Sequence, residues 1–266
     1  MKVYIQMVFV ALCALMLIVS SCRNASRYKN LTEAFGNTTL SDSVPNIDSL
    51  VASLPEYSQV TAPLMSNAKF NSDALFGIYP ADETLAVKSS AMLLGIYMAD
   101  LGYARHYEQV QVCMDYLAAM KLCATELAIP AENFDYAVVA CETALSDRKS
   151  LLIIVDSAIN STSQYLRTGE MYGVAAIVAS GLWLETLKIA TQINADRETM
   201  KSILAGHQKQ LETLNLLLES FRGDEYITKL ANTLKDFSKI SSDKLPGEKA
   251  FEEAYNQLGI KPVSAH

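Results

Sequence analysis

The sequence predicts an all-α protein, a helical bundle of about seven or eight helices. From residue 82 onward, apolar residues recur with the three- to four-residue spacing of an amphipathic helix. The strict alternation of apolar and polar residues that marks a strand is not found along this stretch. Pro130, Gly169 and Gly223 fall between the apolar segments, where they would separate one helix from the next.

The chain opens with an apolar segment that is typical of a secretory signal peptide. Residues 3–19 are almost wholly apolar, Lys2 places a positive charge before them, and Ser20 and Ser21 follow. The segment has about the minimum length, ~17 residues, for crossing a bilayer. The order of charge, apolar segment and small residues favours removal of this segment over a permanent membrane span.

The end of this segment, Val19-Ser20-Ser21-Cys22, resembles the lipobox of bacterial lipoproteins. The resemblance implies that residues 1–21 are removed and that Cys22 carries a diacylglyceryl thioether and an acylated amino group. Several acyl chains would hold the protein firmly, because each buried methylene contributes about 0.8 kcal/mol. An uncleaved anchor and an ordinary signal peptide are the alternatives.

The residues after Cys22 bear on the membrane to which the protein is sent. Residues 23–27, "RNASR", contain no acid. Inner-membrane lipoproteins of many Gram-negative bacteria carry Asp directly after the cysteine, and some surface-exported ones carry an acidic cluster there. By resemblance, the sequence favours an outer-membrane lipoprotein facing the periplasm, with the lipid anchor as its contact with the membrane.

Composition limits the classes of partner. The 266 residues carry a formal net charge of −7, which gives no electrostatic basis for binding nucleic acid or an anionic lipid surface. Residues 22–45 are rich in Ser, Thr and Asn, so the lipid anchor is expected to continue into a flexible tether. An all-α domain is predicted over residues 46–266.

The helices of this domain are placed from their apolar spacing and their punctuation. A short helix is predicted at 46–54, followed by an irregular but apolar stretch, 55–81, that is expected to lie across the helices. The following helix begins near Asp82 and continues or breaks near Gly102. The remaining helices are predicted at about 107–128, 130–146, 148–167, 170–193, 196–221, 224–240 and 247–258.

Two helices resemble each other. "GIYMADLGYA" at 95–104 aligns without gaps with "GLWLETLKIA" at 181–190, an offset of 86 residues that pairs Gly95 with Gly181. Glycine inside a helix costs about 1 kcal/mol relative to alanine, so two at one register indicate close helix–helix contact. The sequence thus allows an internal duplication, about 82–167 and 168–258, against the alternative of coincidence between two apolar helices.

Searches for catalytic and metal-binding motifs are almost empty. The chain has no H-E-x-x-H, Gly-rich phosphate loop or G-x-S-x-G, and its three histidines are far apart in sequence. Three S-x-x-K matches lack their companion motifs and are expected by chance. The sequence therefore predicts no enzyme, no metal and no cofactor. The internal cysteines Cys113, Cys123 and Cys141 are odd in number, so buried thiols are favoured over a disulfide between Cys123 and Cys141.

Asp100 is the best candidate for a ligand-binding residue. It lies within an apolar helical stripe, with Tyr97, Tyr103 and Tyr107 nearby and Trp183 contributed by the second half. A carboxylate among aromatic rings could hold a cationic or hydroxyl-rich ligand. The alternative is a structural carboxylate whose burial is offset by tyrosine hydroxyls.

These observations predict a lipid-anchored cell-envelope protein that acts by binding. The first hypothesis is protein interaction or scaffolding through an exposed apolar patch, for which residues 64–79 are candidates. The alternative is a small-molecule binder with a pocket near Asp100, Tyr97 and Trp183.

Overall fold

The all-α prediction is confirmed. The computed structural model describes a set of residues in which every regular element is a helix. This set comprises residues 33–35, 47–54, 56–61, 69–80, 85–130, 134, 136–137, 139–140, 147–169, 171–193, 197–221, 223–240 and 245–261. The lipobox and Cys22 lie outside it.

Nine α-helices and one 3₁₀ turn are described from end to end, and residues 33–35 are also helical. Two helices are short, and a 3₁₀ turn at Ser72–Ala74 precedes the long helices. The α-helices are α1 Ile47–Ala52, α2 Tyr57–Thr61, α3 Val87–His106, α4 Val110–Glu126, α5 Arg148–Thr168, α6 Tyr172–Gln192, α7 Arg197–Glu219, α8 Glu225–Phe237 and α9 Glu248–Gln257. Helical residues between 134 and 140 also fall inside the helix predicted at 130–146.

Helices α3 and α6 form the centre of the molecule and touch through glycine. A Cβ atom on Gly95 would lie 2.0 Å from the carbonyl oxygen of Val178, and one on Gly181 would lie 2.3 Å from that of Met92. Neither position has room for any side chain. The close contact predicted from the two glycines is therefore present, and it lets the two backbones approach directly.

The two central helices run parallel. Near their N-terminal ends, Lys88 and Gly173 both lie against Phe35. Further along, Asp100 of α3 and Glu185 of α6 lie close enough for their carboxyl groups to interact. A shift of 86 residues along the chain superimposes Val87–His106 on residues 173–192, and these bounds differ from those of α6 by one residue. The same shift places the start of α4 one residue before the start of α7. These bounds agree with the predicted duplication, which stays a prediction.

The break between α3 and α4 lies at residues 107–109, near the start of the helix predicted at about 107–128, and not near Gly102. The chain turns after His106, where Glu108 has φ 54°, and the amide of Gln109 donates to the carbonyl of Ala104 at 2.9 Å. A left-handed residue with this hydrogen bond commonly ends a helix, but it is usually glycine. Because Glu108 stands where glycine is usual, the residue type at this position does not indicate the end of helix α3.

Residues 69–80, here called the strap, lie across the central helices as the sequence predicted. Leu75, Phe76 and Tyr79 are buried in the core. Part of the strap's backbone is irregular, so its polar groups need partners outside the strap. The strap therefore contributes to the core, and residues 69–79 do not form the exposed patch proposed for 64–79; residues 64–68 lie outside the described set.

Helix α6, Tyr172–Gln192, is long and apolar enough to cross a membrane by length and composition. However, 94% of its most apolar window is buried inside the molecule, which is how a central helix of a bundle is packed.

Cys113 and Cys123 are buried in the same core, and Cys141 lies outside the described residues. Burial raises the pKa of Cys123 to about 12, so its thiol stays protonated.

Candidate functional site

Asp100 lies inside the molecule, fully removed from solvent. Its Oδ2 accepts a hydrogen bond from the backbone amide of Phe76 in the strap, at 3.2 Å. Around Asp100, helix α3 is surrounded by the strap, α6 and α4, so no face of the helix is exposed to solvent there. The carboxyl group thus binds the protein's own backbone.

Two charged residues of α6 join Asp100, and the sequence analysis did not select them. Glu185 is fully buried and Lys188 nearly so, and their side chains pair at 2.7 Å between Oε1 and Nζ. The ammonium group of Lys188 also donates to the carbonyl of Ala74 at 3.1 Å, and Tyr255 of α9 donates to Oε2 of Glu185. Asp100, Glu185, Lys188 and Tyr255 are called the buried carboxyl cluster below.

The electrostatics of this cluster favour a proton on Asp100. Burial, and then the neighbouring Glu185 carboxylate, raise the pKa of Asp100 well above its ordinary value, while Lys188 and the Phe76 amide oppose the shift. Burial by itself would lower the pKa of Lys188, but Glu185 and Asp100 outweigh it and the pKa is raised. A neutral Asp100 beside a Glu185–Lys188 ion pair leaves the interior without net charge, as burial requires.

The tyrosines predicted around Asp100 also bind the strap. The hydroxyl of Tyr97 accepts from the amide of Tyr79 at 3.0 Å, and that of Tyr103 accepts from the amide of Asn71 at 2.9 Å. Tyr116 of α4, which the sequence analysis missed, donates to the carbonyl of Phe76 at 2.6 Å. Several side chains therefore satisfy backbone groups along the strap.

Tyr107 and Trp183 occupy other surroundings. Tyr107 packs edge-on against the ring of Tyr103, with the two ring centroids 5.1 Å apart. Trp183 donates through Nε1 to the carbonyl of His207 in α7 at 3.0 Å. It lies two positions before Glu185, about 200° around the helix, and so points away from the cluster. The structure brings together Asp100, Tyr97 and Tyr103 but places Trp183 against α7.

The two cavities described in the structure lie away from the cluster. One, about 240 Å³, opens between α8 and α9 and is lined by Phe237, Ile240 and Ala254 among others. The other, about 40 Å³, is almost wholly apolar and lies beside Tyr57, Met98 and Leu182. The cluster contributes to neither lining.

The described part of the chain contains no group of three or more His, Cys, Asp or Glu side chains placed to hold a metal ion. The arrangement around Asp100 can hold a proton and fix the strap to α3, α4, α6 and α9. No family model matches the chain, and no curated protein or solved structure is significantly similar to it.

Proposed function

We propose that this protein is a lipid-anchored protein of the bacterial cell envelope that acts by binding another envelope protein. The lipobox-like Val19-Ser20-Ser21-Cys22 supports the anchor, and the absence of acid in residues 23–27 supports the periplasmic face of the outer membrane. We propose no catalytic role and no cofactor.

The observation that carries the binding proposal is the contrast between interior and surface. The hydroxyls of Tyr97 and Tyr103 and the Oδ2 atom of Asp100, which the sequence assigns to a ligand, bind the strap. At the surface, Tyr136 is 70% exposed, Val139 59% and Ile153 60%. Tyr136 and Val139 are three residues apart in a helical segment and so lie on one face of it. Large apolar side chains left on one face are typical of a protein interaction site.

A small-molecule binder with a pocket near Asp100, Tyr97 and Trp183 is the alternative, and it has less support. Tyr97 and Asp100 face the strap, whereas Trp183 faces α7. A ligand there would have to displace residues 71–79 and replace their hydrogen bonds.

Two experiments test the proposal. Mass spectrometry of the protein from its native envelope is expected to find an acylated N-terminal cysteine, and Cys22→Ala is expected to move the protein from the membrane to the soluble fraction. In-cell crosslinking from a photoreactive residue at Tyr136 is expected to capture one partner. The matched control is the same residue at Lys249, whose side chain is 86% exposed and lies on α9. Equal capture from both positions would refute the proposed surface.

A further inference from the structure

The predicted tether is not separate from the domain along its whole length. Residues 33–35 are helical, and Phe35 packs partly buried against the core. A Cβ atom on Gly173 would lie 2.6 Å from Cδ1 of Phe35, so the ring rests directly on the second residue of α6. Only glycine at 173 leaves room for the ring in this position.

A second group contacts the same ring. The ammonium group of Lys88, in the first turn of α3, lies 5.5 Å from the centroid of Phe35 and 6.0 Å from that of Tyr226. Lys88 is itself fixed by Asp224, which caps α8 by accepting the amide of Ile227 at 3.1 Å. Phe35 is therefore packed where the N-terminal ends of α3, α6 and α8 meet.

This contact shortens the chain between the lipid and the domain. From Cys22 to Glu33 there are 11 Cα–Cα steps, which reach about 40 Å at full extension. If the tether were free as far as Ile47, its 25 steps would reach about 90 Å. Docking of Phe35 roughly halves the maximum distance between domain and membrane.

We infer that Phe35 fastens the tether to the domain, so that the end of the bundle formed by the starts of α3, α6 and α8 is the end held next to the phospholipid surface. This inference rests on the lipid anchor of the proposed function. The opposite end, where α4 begins, lies farther from the surface by the length of α3, whose 20 residues span about 30 Å. The surface available to a partner is then mainly at the sides and at that far end.

Energy transfer to a membrane dye tests the inference. Full-length lipidated protein is reconstituted into phosphatidylethanolamine–phosphatidylglycerol vesicles with an acceptor dye on the headgroups. A donor is attached through an encoded non-natural amino acid at Glu225, beside Phe35's site, or at Gln111, at the far end; both are exposed. Transfer is expected to be more efficient from Glu225. Phe35→Ala is expected to lower the transfer from Glu225 and to reduce the difference in transfer efficiency between the two donor positions. Phe35→Leu is expected to retain most of that difference.

A second variant guards against a folding defect in Phe35→Ala. Ten Gly/Ser residues inserted between Arg27 and Tyr28 lengthen the chain between Cys22 and Glu33 and leave Phe35 in place. They are expected to lower transfer from Glu225 with no change in thermal stability. Equal transfer from both donors in the unaltered protein, or no response to either variant, would overturn the inference. Failure to float with vesicles and an unmodified Cys22 would instead refute the lipid anchor, and the inference with it.

Discussion

The two central helices carry different side chains at matching positions. Tyr97 of α3 and Trp183 of α6 are 86 residues apart, and each binds a backbone group: Tyr97 the amide of Tyr79, Trp183 the carbonyl of His207. Three positions further, Thr186 donates to the carbonyl of Leu182 within its own helix at 2.7 Å. Asp100, at the matching place in α3, has no such local partner and binds the strap.

The difference shows how one helical framework supports two kinds of packing. On the other side of α6, Trp183 is satisfied by the next helix and Thr186 within α6, so the packing around them is ordinary helix on helix. On the α3 side, side chains bind an irregular segment that supplies unpaired backbone groups. The buried carboxyl cluster lies against the strap, where Asp100 of α3 accepts from the Phe76 amide and Lys188 of α6 donates to the Ala74 carbonyl.

A large effect is expected at the feature that the two helices share. Gly95→Ala should destabilise the protein by at least about 2 kcal/mol, because the helices must move apart to admit the methyl group. Gly181→Ala should do the same. Chemical denaturation measures both. Gly206→Ala is the matched control: it lies in α7 with nothing within 4 Å and should stabilise by about 0.5 to 1 kcal/mol. A loss at only one central glycine would contradict the symmetric contact.

An effect at least as large distinguishes the strap side from the surface. Lys188→Met leaves Glu185 buried without its cation and should cost about 3 to 5 kcal/mol. Lys201→Met breaks a pair of the same spacing and the same 2.7 Å length, but with side chains 50% and 80% exposed, and should change stability by less than about 0.5 kcal/mol. Urea unfolding at neutral pH compares the two. Similar losses of unfolding free energy in the two variants would mean that burial does not determine how much the ion pair contributes to stability.

The pH dependence of stability tests the proton on Asp100. Because the folded-state pKa is raised, Asp100 contributes stability that is fully present below its unfolded pKa and is lost as pH rises through the folded pKa. Stability should therefore fall between about pH 4, near the unfolded value, and the folded pKa. Asp100→Asn, which keeps a neutral side chain, should remove this part of the slope in denaturation curves measured from pH 4 to 9.

Asp147→Asn is the control for that experiment. Hydrogen bonds from Ser150 lower the pKa of this exposed carboxyl, so its contribution to the slope has the opposite sign. The decline with pH should persist in Asp147→Asn. If Asp100→Asn shows the same decline as the unaltered protein, Asp100 is ionised in the fold and the assignment is wrong.

The smallest effect is expected to be local. Tyr97→Phe removes the acceptor for the Tyr79 amide, which should cost about 1 to 3 kcal/mol and speed hydrogen exchange in the strap. Trp183→Phe removes the donor to the His207 carbonyl and should change exchange around α7 instead. Hydrogen exchange measured by mass spectrometry on peptides from the strap and from α7 distinguishes the effects of the two variants. Faster strap exchange in both variants would show that the two sides are coupled.

The sequence predicted the helices well and the site in part. Apolar spacing located the long helices, and the paired glycines predicted the contact at the centre. Asp100 could be selected because an acid in an apolar stripe is conspicuous. Glu185 and Lys188 were missed because α6 was treated as an apolar copy of α3, although an acid and a lysine three positions apart in a buried helix are a signal for an internal ion pair.

The misplacement of Trp183 has a different cause. The alignment matched residues at the same register but did not state which of them face each other. Two parallel helices bring matching residues together only on the face that they share, as at Gly95 and Gly181. Matching residues away from that face, such as Tyr97 and Trp183, point to different partners. Similarly, nothing in the residue types of the strap indicated which of its amides would meet Tyr97, Tyr103 or Asp100, because those contacts depend on backbone positions.

The contacts of the strap also set an order for assembly during synthesis. Tyr79 exchanges hydrogen bonds with the backbone of Lys261, 182 residues later, and Glu185 depends on Tyr255. A chain synthesised N-terminus first has the strap available early, but the groups that close over it are made last. The interior around Asp100 therefore closes only after α9 has been made, and closure of the core is among the final events of folding.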